Sequence, residues 1–245
     1  MYLLIDIGNT NTQIAVARGK KIVKRYFIHT SKENISQRSL KRLLGEKVSG
    51  IDKVVIVSVV PAFLKILKNT IKVILPKAEI KVVGKDIKVP IKNRYKDPKQ
   101  VGQDRLVTAH AAAVKFGKPI VSIDFGTAVT FDFVNKKGEY EGGLIFPGLR
   151  IALNSLEHEA ALLPKIDIRP TKTLIGKDTQ TSMNNGVLHG YAGVCDEIIE
   201  KFRKKYGPKV KVVATGGDAK LVAKYSKHVN KVTPDLIFTG LKLLT

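Results

Sequence analysis

The chain alternates short apolar runs with polar turns, and the same alternation occurs twice. Residues 2–8, YLLIDIG, read as an apolar strand that ends in the polar turn Asn9-Thr10-Asn11. Residues 12–17, TQIAVA, form a second predicted strand, RGKK (18–21) a turn, and IVKRYF (22–27) a third strand. The order returns with IVSIDFG from Ile120, AVTFDFV from Ala128, the turn NKKGE (135–139) and an extended run through Tyr140. Asp6 and Gly8 recur as Asp124 and Gly126, 118 residues on, and Thr12 is matched by Thr130 at the same offset. VVIVSVV (54–60) and VVATGGD (212–218) are buried-type β-branched runs that end in small residues, each before a predicted helix. LVTAHAAAVKF (106–116) reads as a buried helix closed by Gly117 and Pro119, and a second long helix runs from about Thr181 to Tyr206. A repeat of this kind predicts an α/β chain of two related halves, residues 1–117 and 118–245.

Composition fits that picture. A chain of 245 residues can bury about 70% of its unfolded surface, enough for a core without disulfides or metals. The lone Cys195 cannot form an internal disulfide, which points to a reducing cytoplasm. MYLLIDIGNT lacks a basic leader region and carries Asp6, so it reads as a first strand rather than a signal peptide. The apolar stretch VVIVSVVPAFL is far short of the roughly 18 residues a membrane span needs. The net charge of +22 suggests nucleic acid at first sight. Yet 34 of the 43 basic residues are Lys, scattered between apolar runs, and aromatic platforms are sparse at 7%. Arg and aromatic side chains carry most nucleic-acid recognition, so the charge reads as a solvated, Lys-rich surface.

The familiar nucleotide fingerprints are missing. There is no G-x-x-x-x-G-K-[ST], no G-x-G-x-x-G after a strand, no G-x-S-x-G, and no His pair or Cys cluster at metal-ligand spacing. What remains are two strand-end loops, Asp6-Ile-Gly-Asn-Thr-Asn-Thr and Asp124-Phe-Gly-Thr-Ala, that pair a carboxylate with a glycine turn and hydroxyl or amide side chains. Glycine permits close backbone approach to an anion, and successive N–H groups can form a nest. The carboxylate can hold a cation that bridges to phosphate oxygens. Each loop alone could be a tight hairpin turn. Two equivalent loops in a duplicated chain favour a phosphoryl-transfer arrangement, and Thr215-Gly216-Gly217-Asp218 adds a glycine pair against which an adenosine could lie.

In these loops the sequence resembles the superfamily of acetate and sugar kinases, heat-shock ATPases and actin. That resemblance implies two duplicated actin-like, ribonuclease H-like halves with a nucleotide cleft between them. A more specific resemblance lies mid-chain. Asn93-Arg94-Tyr95, Val101-Gly102-Gln103-Asp104-Arg105, Asp124-Phe-Gly-Thr127-Ala, Gly142-Gly143-Leu-Ile-Phe-Pro147-Gly148 and Asp178-Thr179 occur in the order and spacing of type III pantothenate kinases. With Asp6-Ile-Gly-Asn-Thr and Thr215-Gly-Gly the match spans essentially the whole chain; the one departure is Asp178, where the family often has Asn.

The resemblance implies ATP-dependent phosphorylation of pantothenate to 4'-phosphopantothenate, the first step of coenzyme A synthesis, by a cytoplasmic homodimer. It implies that Asp104 is the general base and that Tyr95, Gly102, Gln103, Asp104, Arg105 and Thr179 surround pantothenate. ATP would meet Asp6, Ile7, Gly8, Asn9, Thr10, Asn11, Thr12, Gln13 and Thr127, with Gly216 and Gly217 at the adenosine. Mg2+ would accompany ATP, and Asp124 would hold a monovalent cation, K+ or NH4+. Two other readings stand beside this one: a nucleic-acid-associated transcriptional accessory factor on the same scaffold, and a related kinase of another small hydroxylated substrate.

The residues allow these roles on physical grounds. A carboxylate within reach of the attacking hydroxyl orients it and accepts its proton late. Asp104 also suits the N-cap of a helix starting near Arg105 or Leu106, and the two roles are compatible. Gly186, Gly190 and Gly193 put a small-residue face on the long helix, for close packing within the chain or across a dimer; Cys195 and His110 read as core residues. Residues 85–105 carry seven basic and three acidic side chains, which either steer anionic substrates or form a solvated loop.

Overall fold

The repeat seen in the sequence is a repeat of sheets. The computed structural model describes residues 1–19, 21–45 and 50–245. The first sheet has the order β3-β2-β1-β4-β5, with β1 Tyr2–Ile7, β2 Asn11–Arg18, β3 Lys21–His29, β4 Lys53–Ser58 and β5 Glu79–Val82. The second has the order β8-β7-β6-β9, with β6 Ile120–Phe125, β7 Ala128–Val134, β8 Tyr140–Pro147 and β9 Lys211–Gly216. In each, an antiparallel meander of three strands is followed by a strand parallel to the first: β1 pairs with β4, and β6 with β9. Lys20, within the predicted 18–21 turn, lies outside the described residues.

Seven α-helices among the described residues complete the two units: α1 Gln37–Leu44, α2 Pro61–Ile74, α3 Gln103–Phe116, α4 Leu149–Glu159, α5 Thr179–Tyr206, α6 Ala219–Val222 and α7 Leu236–Leu243. One compact unit comprises Met1–Ile91, Asp97–Ala111 and Ile237–Thr245, the other Lys92–Lys96 and Ala112–Leu236. Alternation at period two decides which sheet face is buried. In the first unit Leu3, Ile5, Ile7, Ile14, Val16, Val54 and Ile56 meet Leu40 and Leu44 of α1 and Leu67 and Ile71 of α2. In the second, Val121, Ile123, Phe125, Val129, Phe131 and Phe133 meet Leu188, Cys195 and Ile199 of α5. Each such side chain contributes about 1.5–3 kcal/mol on full burial, so neither core calls for a disulfide.

Two sequence expectations change. The helix expected from 106 starts at Gln103, which makes Asp104 its second residue rather than its cap. The long helix starts at Thr179, where Asp178 accepts a hydrogen bond from Thr181 N–H at 2.8 Å in a capping box. The repeat also slips by one residue. Asp6 pairs with Gln13 and Ile7 with Thr12, whereas Asp124 pairs with Thr130 and Phe125 with Val129. The structural counterpart of Thr130 is therefore Gln13, not Thr12 as the constant offset suggests. The first hairpin has Gly8, Asn9 and Thr10 between its strands, the second only Gly126 and Thr127. One extra residue turns every following side chain to the other face of the sheet, and Thr12 lies buried on the core side.

Candidate functional site

In the first unit the end of β1 is a tied loop. Gly8 N–H donates to Asn11 O at 3.0 Å, and a Cβ on Gly8 would stand 3.0 Å from that same oxygen. Thr30, just past β3, laces the loop twice: its N–H donates to Thr10 O at 2.9 Å and its hydroxyl to Gly8 O at 2.9 Å. With that proton spoken for, the 3.0 Å bond between Thr12 and Thr30 hydroxyls runs from Thr12 as donor. Asn9, Thr10 and Asn11 are exposed at the tip, Asp6 and Gln13 are half-buried, and Ile7 and Thr12 are buried. Of the eight residues of this segment expected to meet ATP, Ile7 and Thr12 have buried side chains, which leaves only their backbone for a ligand.

The other half of this unit's chemistry sits at the start of α3. Val59 N–H donates to Ile7 O at 3.1 Å, which carries the chain past the end of β1, and Gly102 lies over Val59. A Cβ on Gly102 would collide with Asp104 Oδ1, so the glycine leaves room for that carboxylate. Asp104 Oδ1 accepts the N–H of Arg105 at 2.8 Å. Burial pushes the Asp104 carboxyl above its usual range, and the Arg105 N–H and guanidinium pull back against it. A carboxylate so raised is a better proton acceptor near neutral pH than a solvated one. Gln103 folds its side chain over Gly84, whose φ of +84° and lack of Cβ leave it space.

In the second unit Asp124 stands in β6 between Thr130 of β7 and Thr215 of β9. Gly216 closes on it: φ is +93°, and a Cβ there would lie 2.5 Å from both Asp124 Oδ1 and Phe125 O. Gly126 N–H donates to Ala128 O at 3.1 Å and exposes Thr127. Gly148, the N-cap of α4, donates its N–H to Thr127 O at 3.1 Å and has no room for a side chain against the Gly126 and Thr127 carbonyls. Gly217 is open and exposed. Beside it, burial raises the Asp218 carboxyl, with Arg150 of α4 opposing. The Asp124 carboxylate and the nearby Phe125 carbonyl are hard oxygen donors, of the type that could hold a hard cation. Among the described residues no group of three or more His, Cys, Asp or Glu is placed to hold a metal.

The remaining two residues, Tyr95 and Thr179, lie against β8 and at the head of α5. Arg94 N–H donates to Tyr140 O and Tyr140 N–H to Lys92 O, both at 2.8 Å, so residues 92–94 run along the start of β8. Tyr95 N–H donates to Asn93 Oδ1 at 2.9 Å, and its ring lies against Gly142. Thr179 is exposed at the head of α5. The structure thus gathers Asp6–Gln13 with Gly102–Arg105 in one unit, and Asp124, Thr127, Gly216 and Gly217 in the other, where Tyr95 and Thr179 stand on β8 and α5. Sequence reasoning missed Thr30 and Asp132. Thr30 carries no pattern of its own; Asp132 is a charge inside the apolar run VTFDFV and could have been flagged.

Residues 2–201 match the sequence pattern of the type III pantothenate kinase family. A type III pantothenate kinase of Syntrophotalea carbinolica is 36% identical over 250 residues, covering 100% of this chain and 98% of the relative. The chain belongs to the type III pantothenate kinase family. Solved structures agree on architecture. A Baf family transcriptional activator from Campylobacter jejuni aligns with a TM-score of 0.63 at 21% identity, over 99% of this chain and 96% of its own. MreB 5 of Spiroplasma citri bound to AMPPNP aligns at 0.52 and 11%, over 99% and 95%. At such identities both likenesses carry the fold alone: this kinase is built of duplicated actin-like halves.

Proposed function

We propose that the protein transfers the γ-phosphoryl group of ATP to the primary hydroxyl of pantothenate, giving 4'-phosphopantothenate for coenzyme A synthesis. The observation that carries this reading is Asp104: a carboxylate raised by burial, fixed by the Arg105 N–H and given room by Gly102, within the segment that matches the family. Phosphoryl transfer passes through a loose transition state, so positioning and charge neutralisation supply most of the rate. In this reading Asp104 orients the pantothenate hydroxyl and takes its proton, while Gly102, Gln103, Arg105, Tyr95 and Thr179 hold the rest of the molecule. The Gly8–Asn11 tip and Thr127 would bind the phosphates of Mg-ATP, Asp6 would be available to the Mg2+, and Gly216 and Gly217 would take the adenosine. Asp124 would hold K+ or NH4+, which would supply fixed positive charge.

A coupled assay of ADP release, run with pantothenate, Mg2+ and a potassium salt against a panel of other small hydroxylated substrates, tests the reading. Pantothenate should give the highest kcat/KM. Release with another substrate and none with pantothenate would assign a different kinase, and duplex DNA binding without turnover would revive the accessory-factor reading.

Two further properties belong to the same proposal. The face of α5 bearing Gly186 and Gly190, with Met183, Val187, Tyr191 and Phe146, is an apolar groove. A Cβ at either glycine meets nothing within 4 Å. We assign this groove to a second copy of the chain in a homodimer; Gly190→Arg should convert the species seen by sedimentation from dimer to monomer. We place the enzyme in the cytoplasm, which suits a Cys195 thiol that burial, with Asp196 beside it, pushes up to about 12 and so keeps inert.

A further inference from the structure

The second sheet buries a carboxylate that the proposed chemistry does not use. Asp132 of β7 is 1% exposed and Tyr140 of β8 is fully buried. The Tyr140 hydroxyl donates to Asp132 Oδ1 at 2.7 Å, and the Thr130 hydroxyl donates to Oδ2 at 3.0 Å. Taking a carboxylate out of water is costly even when hydrogen bonds replace the lost hydration. The fold gives no reason to do so, because the first sheet contains the matching position. Two residues back from the aspartate of each hairpin stand the pairs Leu4–Ala15 and Ser122–Asp132. Leu4 and Ala15 are both fully buried. A sheet of the same topology therefore fills this place with an apolar pair.

Two of the groups that Asp132 touches lead toward the proposed site. Thr130 is the cross-strand neighbour of Asp124, and opposed side chains in such pairs start only about 4.5–5.5 Å apart at Cβ. Since its proton goes to Asp132, the Thr130 hydroxyl presents lone pairs to its other surroundings. Tyr140, anchored by its phenol, pairs through its main chain with Lys92 and Arg94, the segment that ends in Tyr95. We propose that Asp132 is a positioning residue: it orients Thr130 beside Asp124 and, through Tyr140, holds residues 92–95 so that Tyr95 is presented in place. This rests on the assignment of Asp124 to a cation and Tyr95 to pantothenate.

Three variants test it. Asp132→Asn keeps an acceptor for Tyr140 but offers Thr130 an NH2 group and so reverses its hydroxyl. The potassium concentration for half-maximal activation should rise about tenfold, as for other residues that support a metal ligand, with KM for pantothenate little changed. Tyr140→Phe should do the opposite, raising KM for pantothenate and leaving the potassium curve in place. It should also speed amide hydrogen exchange at residues 92–95 about tenfold while first-unit peptides stay as they were. Asp132→Ala should show both effects. Variants that melt lower but keep both constants and the exchange pattern would reduce Asp132 to a structural residue and overturn the proposal. If Asp132→Ala does not fold, the other two decide. If the wild-type protein ignores pantothenate, the substrate reading falls; exchange at 92–95 in Tyr140→Phe still decides the Tyr140 arm, and unchanged rates there overturn it.

Discussion

The β1–β2 and β6–β7 hairpins begin alike and end differently. Each first strand delivers an aspartate to the same place, one residue before its last, and each closes with a glycine N–H bonded back across the turn. Beyond that, the first loop is three residues long and is sewn to the next strand by Thr30. The second is two residues long, seated on α4 by Gly148 and shut from the side by Gly216. Behind the first aspartate lies an apolar pair, behind the second a buried carboxylate. The frame fixes where a carboxylate stands; the residues around it decide what the carboxylate does. By the proposed reading the first hairpin, in one unit with Asp104, serves the reacting phosphates, and the second holds the cation and adds Thr127 to the phosphate contacts, with the adenosine at Gly216 and Gly217 at the end of the adjacent β9.

The largest test of that division is Asp104→Asn. Loss of a general base should lower kcat by at least about 10²-fold. Stability should move the other way. Burial raises the Asp104 pKa in the fold, so the stability this group contributes is fully present below its unfolded pKa and is lost as pH rises through the folded one. At neutral pH the neutral asparagine escapes that loss, and the variant should melt at the same or a higher temperature. In the wild type the acid limb of kcat/KM should lie above the ordinary carboxylate value of about 4. Unchanged turnover would leave Asp104 as a helix-start residue only.

The next test separates the two aspartates. Asp6→Asn should cut turnover at every salt concentration, whereas Asp124→Asn should shift the potassium activation curve by about tenfold or more and leave saturated turnover closer to normal. Identical salt curves for wild type and Asp124→Asn would remove the cation from that hairpin and dissolve the functional contrast.

The sequence made the similarity of the hairpins legible more readily than their difference. Period-two runs, the recurrence of Asp-x-Gly and the Gly117–Pro119 stop are local signals, and local signals survive in one dimension. The tie from Thr30 to Gly8 spans 22 residues, and the closure of Gly216 on Asp124 depends on β9 lying beside β6. Neither leaves a spacing rule to read. The start of α3 was misplaced for a related reason: Asp104 suits an N-cap when read in one dimension, whereas in the fold Gln103 already joins the helix while covering Gly84.

The two neighbouring glycines proposed to take the adenosine, Gly216 and Gly217, give a smaller, structural test. Gly216→Ala must adopt positive φ and enter the space of Asp124 and the Phe125 carbonyl, and should cost about 1–3 kcal/mol. Gly217→Ala enters open space and should change stability by no more than about 0.5 kcal/mol. Equal losses in thermal melts would mean that the second loop does not depend on close approach by β9.

The smallest effect probes the one-residue slip. Thr12 and Thr130 share an offset in sequence but face opposite sides of their sheets, so replacing each by Val should give different phenotypes. Thr12→Val removes the hydroxyl that donates to Thr30 in the buried tie, at a cost of about 1 kcal/mol. In a chain of this length that lowers the melting temperature by about 2–4 °C. Its potassium curve should not move, because Thr12 lies on the core side of the sheet and Gln13 holds the place opposite Asp6. Thr130→Val should move that curve, since Thr130 stands opposite Asp124. The reverse result would make Thr12 the working counterpart of Thr130, and the contrast between the hairpins would then lie in their sequences and not in their register.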